Sequence, residues 1–194
     1  MNITSDQLKE LRELTGISVM QCKKALEEAD GDMDKAKIIL QKKGGEIAKK
    51  KSDRTLGAGA IGSYVHANNE VAALVQLSCE TDFVAKNEEF IALAREIAMH
   101  VAAQNPLYIN REEVDEDALT KAREVFMEEV KDKPEDMQEK ILAGKLDAYF
   151  KDRILLEQPF IKDADKTIGD LITAAIQKFG ENTIVGSISR ISVK

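Results

Sequence analysis

Few side chains in this sequence have the types and spacing that chemistry requires. Cys22 and Cys79 could supply a thiolate nucleophile, and His66 or His100 could act as a general base. If His66 faces Val71 across a β-hairpin, Cys79 lies about 26 Å further along the strand, at ~3.3 Å per residue. That distance excludes a Cys–His dyad at His66, and the two widely separated thiols are interpreted as reduced and buried.

The sequence offers no other reactive arrangement. No two histidines have metal-ligand spacing, and the carboxylates lie on charged helical faces without a histidine or an apolar setting that would mark an acid–base pair. The stretch 57–59 precedes a predicted strand, whereas a phosphate-binding loop leads into a helix amino terminus. His100 lies late in a predicted helix, where the helix dipole favours a cation, and is interpreted as structural. We therefore expect no metal, no cofactor and no catalytic residue.

An interaction site is indicated where a predicted strand meets a predicted helix. Residues 71–79 are small and β-branched, which is typical of a buried strand, and apolar residues recur at helical spacing over residues 90–101. Thr81 and Asp82 at the junction are both good N-cap types, so the chain can turn there without a flexible loop. Phe83 is then expected to lie exposed at the tip of a rigid corner.

Residues 1–45 predict a three-helix bundle similar to the ubiquitin-associated type. Each predicted helix has inward-facing apolar positions and a signal at both ends. The start and stop residues, helix by helix, are Thr4 and Gly16, Ser18 and Gly31, and Asp32 with Gly44–Gly45. Residues 46–56 are predicted to form a charged linker, helical or extended.

The turn between the first two predicted helices is unusually apolar. Ile17, Val19 and Met20 crowd a position where polar residues are usual. Two interpretations remain open at this point. Either Ile17 staples the turn while Met20 reaches the core, or these residues form an apolar loop that binds a partner.

Residues 57–194 predict a core domain with a three-stranded antiparallel sheet and helices, which makes the chain α+β. The predicted elements are a turn at 57–60, a hairpin of strands 61–66 and 71–79, a helix from about 87 to 104, an antiparallel helical pair over 117–149, a helix capped by Thr167 and Asp170 and ended by Gly180, and a last strand at 183–193.

Charge and hydropathy limit the class of function. The net charge of −7 argues against a dedicated nucleic-acid site. Basic side chains between Lys42 and Arg54 could touch a phosphate backbone, but a solvated linker is favoured because no aromatic residue is interleaved for stacking. No apolar run approaches the ~18 residues of a membrane span, and the amino terminus lacks a secretory pattern. A cytoplasmic interaction protein is expected.

Three segments add a resemblance to a known family. Residues 11–26 read LRELTGISVMQCKKAL, residues 80–90 read ETDFVAKNEEF, and residues 155–160 read LLEQPF. These segments resemble, in order and separation, stretches of translation elongation factor Ts, and the resemblance covers the whole chain. Gln21, Gln76 and Ser78 depart from residues frequent in that family, which affects details of the strand face.

The resemblance implies guanine-nucleotide exchange on elongation factor Tu, without bond chemistry. By analogy, Thr81, Asp82, Phe83 and Val84 disturb the Mg²⁺ and phosphate site of the partner, with Phe83 placed between helices of its GTPase domain. The resemblance also implies a second contact of the amino-terminal bundle with that GTPase domain, through Arg12, Gly16, Ile17, Ser18, Val19 and Met20.

Long members of the family carry two copies of the sheet module, and this chain has room for one. A homodimer is therefore expected, and the last strand supports it because it is apolar on both faces. Two other classes stay open. An adaptor of the ubiquitin-associated type would need only residues 1–45, and an enzyme would need a polar pocket near Glu80 and Asp82.

Overall fold

The structure is a computed structural model that describes residues 3–132 and 134–193. Its helices are α1 Ser5–Thr15, α2 Val19–Glu28, α3 Met33–Lys51, α4 Asp82–Ala85, α5 Glu88–Gln104, α6 Glu116–Val130, α7 Glu135–Lys151 and α8 Ile168–Phe179. Its strands are β1 Ala58–Val65, β2 Val71–Cys79, β3 Pro159–Phe160, β4 Asp163–Thr167 and β5 Thr183–Ser192. The predicted α+β class is confirmed. None of the described helices is long and apolar enough to cross a membrane.

Helices α1 to α3 form the predicted amino-terminal bundle. Thr4 caps α1 with a reciprocal capping box to Gln7, and the Asp32 carboxylate caps α3 by accepting two backbone N–H groups. The helices enclose their own small core, whose largest fully buried side chains are Leu11, Leu26 and Leu40. The amino-terminal half of the fold is thus set mainly by local start signals and one apolar face per helix.

Helix α3 does not end at Gly44–Gly45, so this part of the prediction is wrong. The helix continues to Lys51. Gly44 lies where α3 packs against α8, and a Cβ atom on it would stand 2.8 Å from Gln177 Oε1. The glycine therefore permits close approach of two helices, and that packing outweighs its weak helix propensity. Residues 46–51, predicted as linker, continue this helix, while the domain boundaries themselves stay a prediction.

The sheet has the strand order β1-β2-β5, with both neighbouring pairs antiparallel. The predicted hairpin is confirmed, but the stretch 57–60 is not a turn because β1 already begins at Ala58. Gly62 has a packing role in this strand. A Cβ atom there would lie 2.0 Å from the carbonyl oxygen of Ala94, so α5 can rest on β1 only over a glycine.

Helix α5 covers one face of the sheet and leaves the other face open. On the covered face, Val75 and Leu77 of the central strand pack with Phe90 and Ile97 of the helix in the main core. The open face carries exposed apolar side chains on all three strands, namely Ile61, Val65, Leu74, Ile184 and Ile191. This two-layer arrangement leaves β2 buried on one side and uncovered on the other.

Helices α6 and α7 form the predicted antiparallel pair at the far end of the core domain. The pair is held by an edge-to-face contact of Phe126 with Tyr149, whose ring centroids are 5.4 Å apart, and by an Arg123–Glu139 ion pair of 2.8 Å. The small β3–β4 hairpin that follows was not predicted, since β4 reads Asp-Ala-Asp-Lys-Thr and has no alternating apolar pattern.

His100 is structural, although for a different reason from the predicted one. Its ring is fully buried beneath Phe160, and Nε2 lies 2.9 Å from Gln158 Oε1. Burial lowers the pKa of His100, because the charged imidazolium would lose its hydration. The side chain is therefore a neutral core group that joins α5 to the segment after α7, and the helix dipole is not what holds it.

Candidate partner-binding site

The predicted corner between strand and helix contains a one-turn helix, α4, followed by the separate start of α5. After β2, Thr81 stands at the N-cap position of α4, a single helical turn, but its side chain makes no cap. Helix α5 then starts afresh, with the Asn87 side chain accepting the N–H of Glu89 at 2.9 Å. Thr81 thus occupies the expected N-cap position without capping through its side chain, and the long helix starts at Glu88, next to its predicted start at about residue 87.

Phe83 occupies the tip of this corner as predicted. Its side chain is 83% exposed, the largest value among the exposed large apolar residues of the described chain. Val84 behaves differently from its neighbours, since it is buried in the main core together with Ala85. Of the four residues predicted at this site, Thr81, Asp82 and Phe83 face solvent and Val84 anchors the turn beneath them.

Thr81 is held by the carboxylate of Glu181, a residue that is distant in the sequence but adjacent in space. Its backbone N–H donates to Glu181 Oε2 at 3.0 Å, and its hydroxyl donates to Glu181 Oε1 at 2.6 Å. Glu181 lies between α8 and β5, and no residue near position 81 in the sequence signals the contact. The corner is thus tied to the start of strand β5, a feature that sequence reasoning missed.

Glu80 makes the reverse connection. The backbone N–H of Asn182 donates to Glu80 Oε1 at 2.6 Å, and Arg54 lies 3.2 Å from Glu80 Oε2. The Asn182 N–H, together with the Arg54 side chain, lowers the pKa of Glu80. Lys86, 2.7 Å from Asp82, likewise lowers the pKa of that carboxyl. Both acids are held in the charged form, which is the opposite of what a general acid requires.

The turn between α1 and α2 forms a second projecting surface. Gly16 ends α1 in the left-handed conformation with φ 67°, and Ser18 caps α2. Ile17 is 4% exposed and packs in the bundle core, so its predicted role as a staple is confirmed. Met20 is 71% exposed, so the prediction that it reaches the core is wrong. Met20 and Val19 together present apolar surface to solvent.

Arg12 and the α1–α2 turn share one open cleft of about 520 Å³. Part of its wall comes from the core domain, where Lys178 of α8 pairs with Glu89 of α5. The lining residues are Ser5, Leu8, Lys9, Arg12, Glu13, Gly16, Val19, Glu89 and Lys178. A second cleft of about 310 Å³ lies beside α6 and α7 and is mostly apolar. Neither cleft includes Glu80 or Asp82, where the enzyme alternative needs a polar pocket.

The two predicted contact surfaces are joined through the packing of α3 and α2 on α8. Gln177 donates to Gln21 at 2.9 Å, and Gln41 donates to Asp170 at 2.9 Å. Within residues 3–132 and 134–193, no hydrogen bond joins the two sets of predicted residues directly, and no group of three or more His, Cys, Asp or Glu could hold a metal ion. The surfaces can therefore act together only through a partner or through the helices between them.

Comparison with known proteins identifies the family. The family model described as "Elongation factor TS" matches residues 7–193. Proteins named elongation factor Ts from Thermotoga petrophila and Thermodesulfovibrio yellowstonii are each 47% identical, over 193 and 194 residues, with 100% of this chain and 97% of the relative covered. The protein of that name from Geotalea uraniireducens is 45% identical, with 100% and 90% covered. The chain belongs to the elongation factor Ts family and is a translation elongation factor.

Proposed function

We propose that this protein is a guanine-nucleotide exchange factor for elongation factor Tu that promotes GDP release by disturbing the Mg²⁺ and phosphate site. The observation that carries the proposal is the exposure of Phe83, a large apolar side chain at the tip of a corner built from ordered turns. Burial of such a side chain contributes about 2–3 kcal/mol. Phe83 gains that energy only when partner helices separate to receive it.

Exchange by this route needs no bond to be made or broken. A ligand shifts a conformational equilibrium only by its difference in affinity for the two states. Phe83 supplies that difference if it is buried only in the partner state whose Mg²⁺ contacts are lost. Thr81 and Asp82 accompany it at the surface, while Val84 fixes the turn from below. The protein acts as a binding partner and not as an enzyme.

The amino-terminal bundle supplies the docking contact in this proposal. The α1–α2 turn, where Val19 and Met20 are exposed, offers an apolar ridge with the Arg12 cation beside it. Such a surface suits a partner helix with an apolar stripe and a nearby carboxylate. An adaptor that acts through residues 1–45 alone would use this surface and would not need Phe83.

The deciding experiment measures release of a fluorescent GDP from elongation factor Tu. The wild-type chain should accelerate release, and its affinity for the partner should fall as Mg²⁺-GDP rises, because coupling between two ligands is reciprocal. Phe83→Ala should slow the accelerated release about tenfold, which equals ~1.4 kcal/mol. Ile38→Ala, at a 65% exposed site on α3, is the matched control and should exchange at the wild-type rate. Binding that ignores the GDP concentration would overturn the proposal.

We also propose a cytoplasmic homodimer in which the open faces of two sheets cover one another. The five exposed apolar residues of that face, defined above, form the support for the proposal. Light scattering at micromolar concentration should give about 43 kDa, twice the 21.5 kDa of one chain. Leu74→Lys, in the central strand, should return the mass to that of one chain by placing a charge in the buried contact. A wild-type mass of 21.5 kDa would contradict the dimer.

A further inference from the structure

We propose that Glu181 is a positioning residue for exchange, which holds the corner at Thr81 so that Phe83 points outward in one orientation. The inference rests on the proposed function and adds to it a residue that is distant from the corner in the sequence. Glu181 is 100 positions from Thr81 in the sequence and contacts it through both carboxylate oxygens. In this proposal Glu181 acts only through the corner.

The contact belongs to a reciprocal clasp between residues 80–81 and 181–182. Glu181 accepts the N–H and the hydroxyl of Thr81, and Glu80 accepts the N–H of Asn182 at 2.6 Å. Each segment thus donates a backbone N–H to a carboxylate of the other. Charge-assisted hydrogen bonds of this kind are roughly twice as strong as neutral ones. The clasp joins the end of β2 to the start of β5 just beyond the last ladder pair, Cys79 with Thr183.

The clasp matters because α4 is too short to hold itself. A helix of four residues has one turn, and the first turn of any helix is unfavourable on its own. Thr81 stands at the N-cap position of α4, but the Thr81 hydroxyl accepts no backbone N–H of the turn and donates to Glu181. Val84 anchors one side of the turn in the core, and Glu181 anchors the residue that enters it. Phe83 lies between these two anchors and has no burial of its own to fix it.

The turn formed by residues 180–182, which presents Glu181, is in contact with the end of α3. Lys51 donates to the carbonyl of Gly180 at 2.6 Å, and Asn182 donates through Nδ2 to the carbonyl of Ser52 at 3.3 Å. Helix α3 belongs to the amino-terminal bundle at its other end. The turn that presents Glu181 is therefore held by the last helix of the bundle whose first two helices carry the docking surface, which gives the corner a fixed place relative to that surface. A fixed side chain loses less conformational entropy on binding than a mobile one.

The test compares Glu181→Ala and Glu181→Gln with the wild-type chain. Glu124→Ala, which removes an exposed acid from α6, is the control for lost charge. By nuclear magnetic resonance, Glu181→Ala should move the amide signal of Thr81 and lower the order parameter of the Phe83 amide. It should also slow partner GDP release about tenfold at saturating protein, while affinity for nucleotide-free partner changes less than about threefold. Glu181→Gln should restore part of both effects, because its amide group can still bond to Thr81.

The possible failures are distinguishable. If the wild-type chain does not accelerate GDP release, the proposed function is wrong, and the role of Glu181 in exchange falls with it. If the wild-type chain is active and Glu181→Ala leaves the Thr81 and Phe83 signals or the release rate unchanged, only the role of Glu181 is overturned. Should Glu181→Ala fail to fold, Thr81→Val keeps the carboxylate and removes the hydroxyl donor. It should then reproduce the smaller order parameter at Phe83, and a wild-type value there would overturn the inference.

Discussion

The two predicted contact regions each present an exposed apolar side chain, and they are held in different ways. In the α1–α2 turn, Met20 projects from a backbone fixed by close neighbours: Gly16 ends one helix and Ser18 starts the next. In the corner after β2, Phe83 projects from a single helical turn whose entering residue is held by Glu181, 100 positions away. The turn is a local structure, whereas the corner exists only when the core domain has folded.

This difference bears on what each surface can do. A turn fixed by local caps and one buried staple can form with the bundle alone, which suits docking. A corner held by tertiary contacts shares the rigidity of the sheet and of α3, which suits the separation of two partner helices by Phe83. The protein thus combines a docking surface, the α1–α2 turn, with a wedge, the Phe83 side chain that separates partner helices. The two depend on different parts of the fold.

The largest effect is expected where the local turn depends on burial. Ile17→Ala should lower the free energy of unfolding by about 2–5 kcal/mol, because it removes a staple that is 4% exposed. Met20→Ala, three positions on, should change it by less than ~0.5 kcal/mol, since the side chain already faces water. Urea unfolding of both variants checks the contrast. Destabilisation by Met20→Ala above ~1 kcal/mol would show that this side chain is part of the core.

The same contrast explains which parts of the fold the sequence could predict. The α1 capping box of Thr4 with Gln7 and the α8 box of Thr167 with Asp170 are formed as their spacing indicates, because both partners lie within one helical turn. The hairpin of β1 and β2 was likewise readable from its short loop and strand pattern. Local signals were sufficient in these places.

Elements that depend on distant packing could not be read from the sequence. Gly44–Gly45 looked like a helix stop, and the approach of α8 to Gly44 shows why α3 continues through that residue. At the site, the sequence indicated Phe83 and the Ile17–Met20 turn. It did not indicate Glu181 or Asn182, which are about 100 positions from the corner in the sequence. Thr81 was interpreted as a side-chain cap because its actual partner, Glu181, is 100 positions away. Asp82 was also interpreted as a cap, although it pairs with Lys86 four residues on.

The second prediction distinguishes the wedge from the docking surface by their effects on the kinetics of GDP release. Phe83→Ala should lower the maximal rate of GDP release about tenfold and leave the half-saturating concentration within about threefold. Met20→Ala should do the reverse, raising the half-saturating concentration several-fold with little change in the maximal rate. Stopped-flow titrations at fixed Mg²⁺ measure both quantities. If both variants change the same quantity, the two surfaces are not distinct in function, and the comparison drawn above fails.

The third prediction uses acid to weaken the contact of Glu80 with Asn182. The pKa of Glu80 is lowered in the folded state by the Asn182 N–H and the Arg54 side chain, so the bound carboxylate stabilises the fold above its ordinary pKa. That contribution should be lost as pH falls below about 4.5 and through the folded-state value. The protection factor of the Asn182 amide, the ratio of its intrinsic exchange rate to its measured rate at the same pH, should fall over this range. The protection factors of amides in the α1–α2 turn, capped by the neutral Ser18, should not change, and Glu80→Gln should abolish the pH dependence of the Asn182 protection factor.

The smallest structural effect is expected at Asp82, and it tests whether charge or capping matters at the corner. Asp82 does not cap α4; it is exposed and pairs with Lys86 at 2.7 Å, four residues on. Asp82→Asn and Asp82→Ala should therefore leave Tm unchanged alike, since neither removes a cap. Both should slow GDP release to the same extent if the negative charge disturbs the Mg²⁺ site of the partner, and Asp82→Glu should retain the wild-type rate. A lower Tm for Asp82→Ala than for Asp82→Asn would show that Asp82 does act as a cap. Wild-type GDP release by all three variants would show that the Asp82 charge has no part in exchange, which would then depend on Phe83.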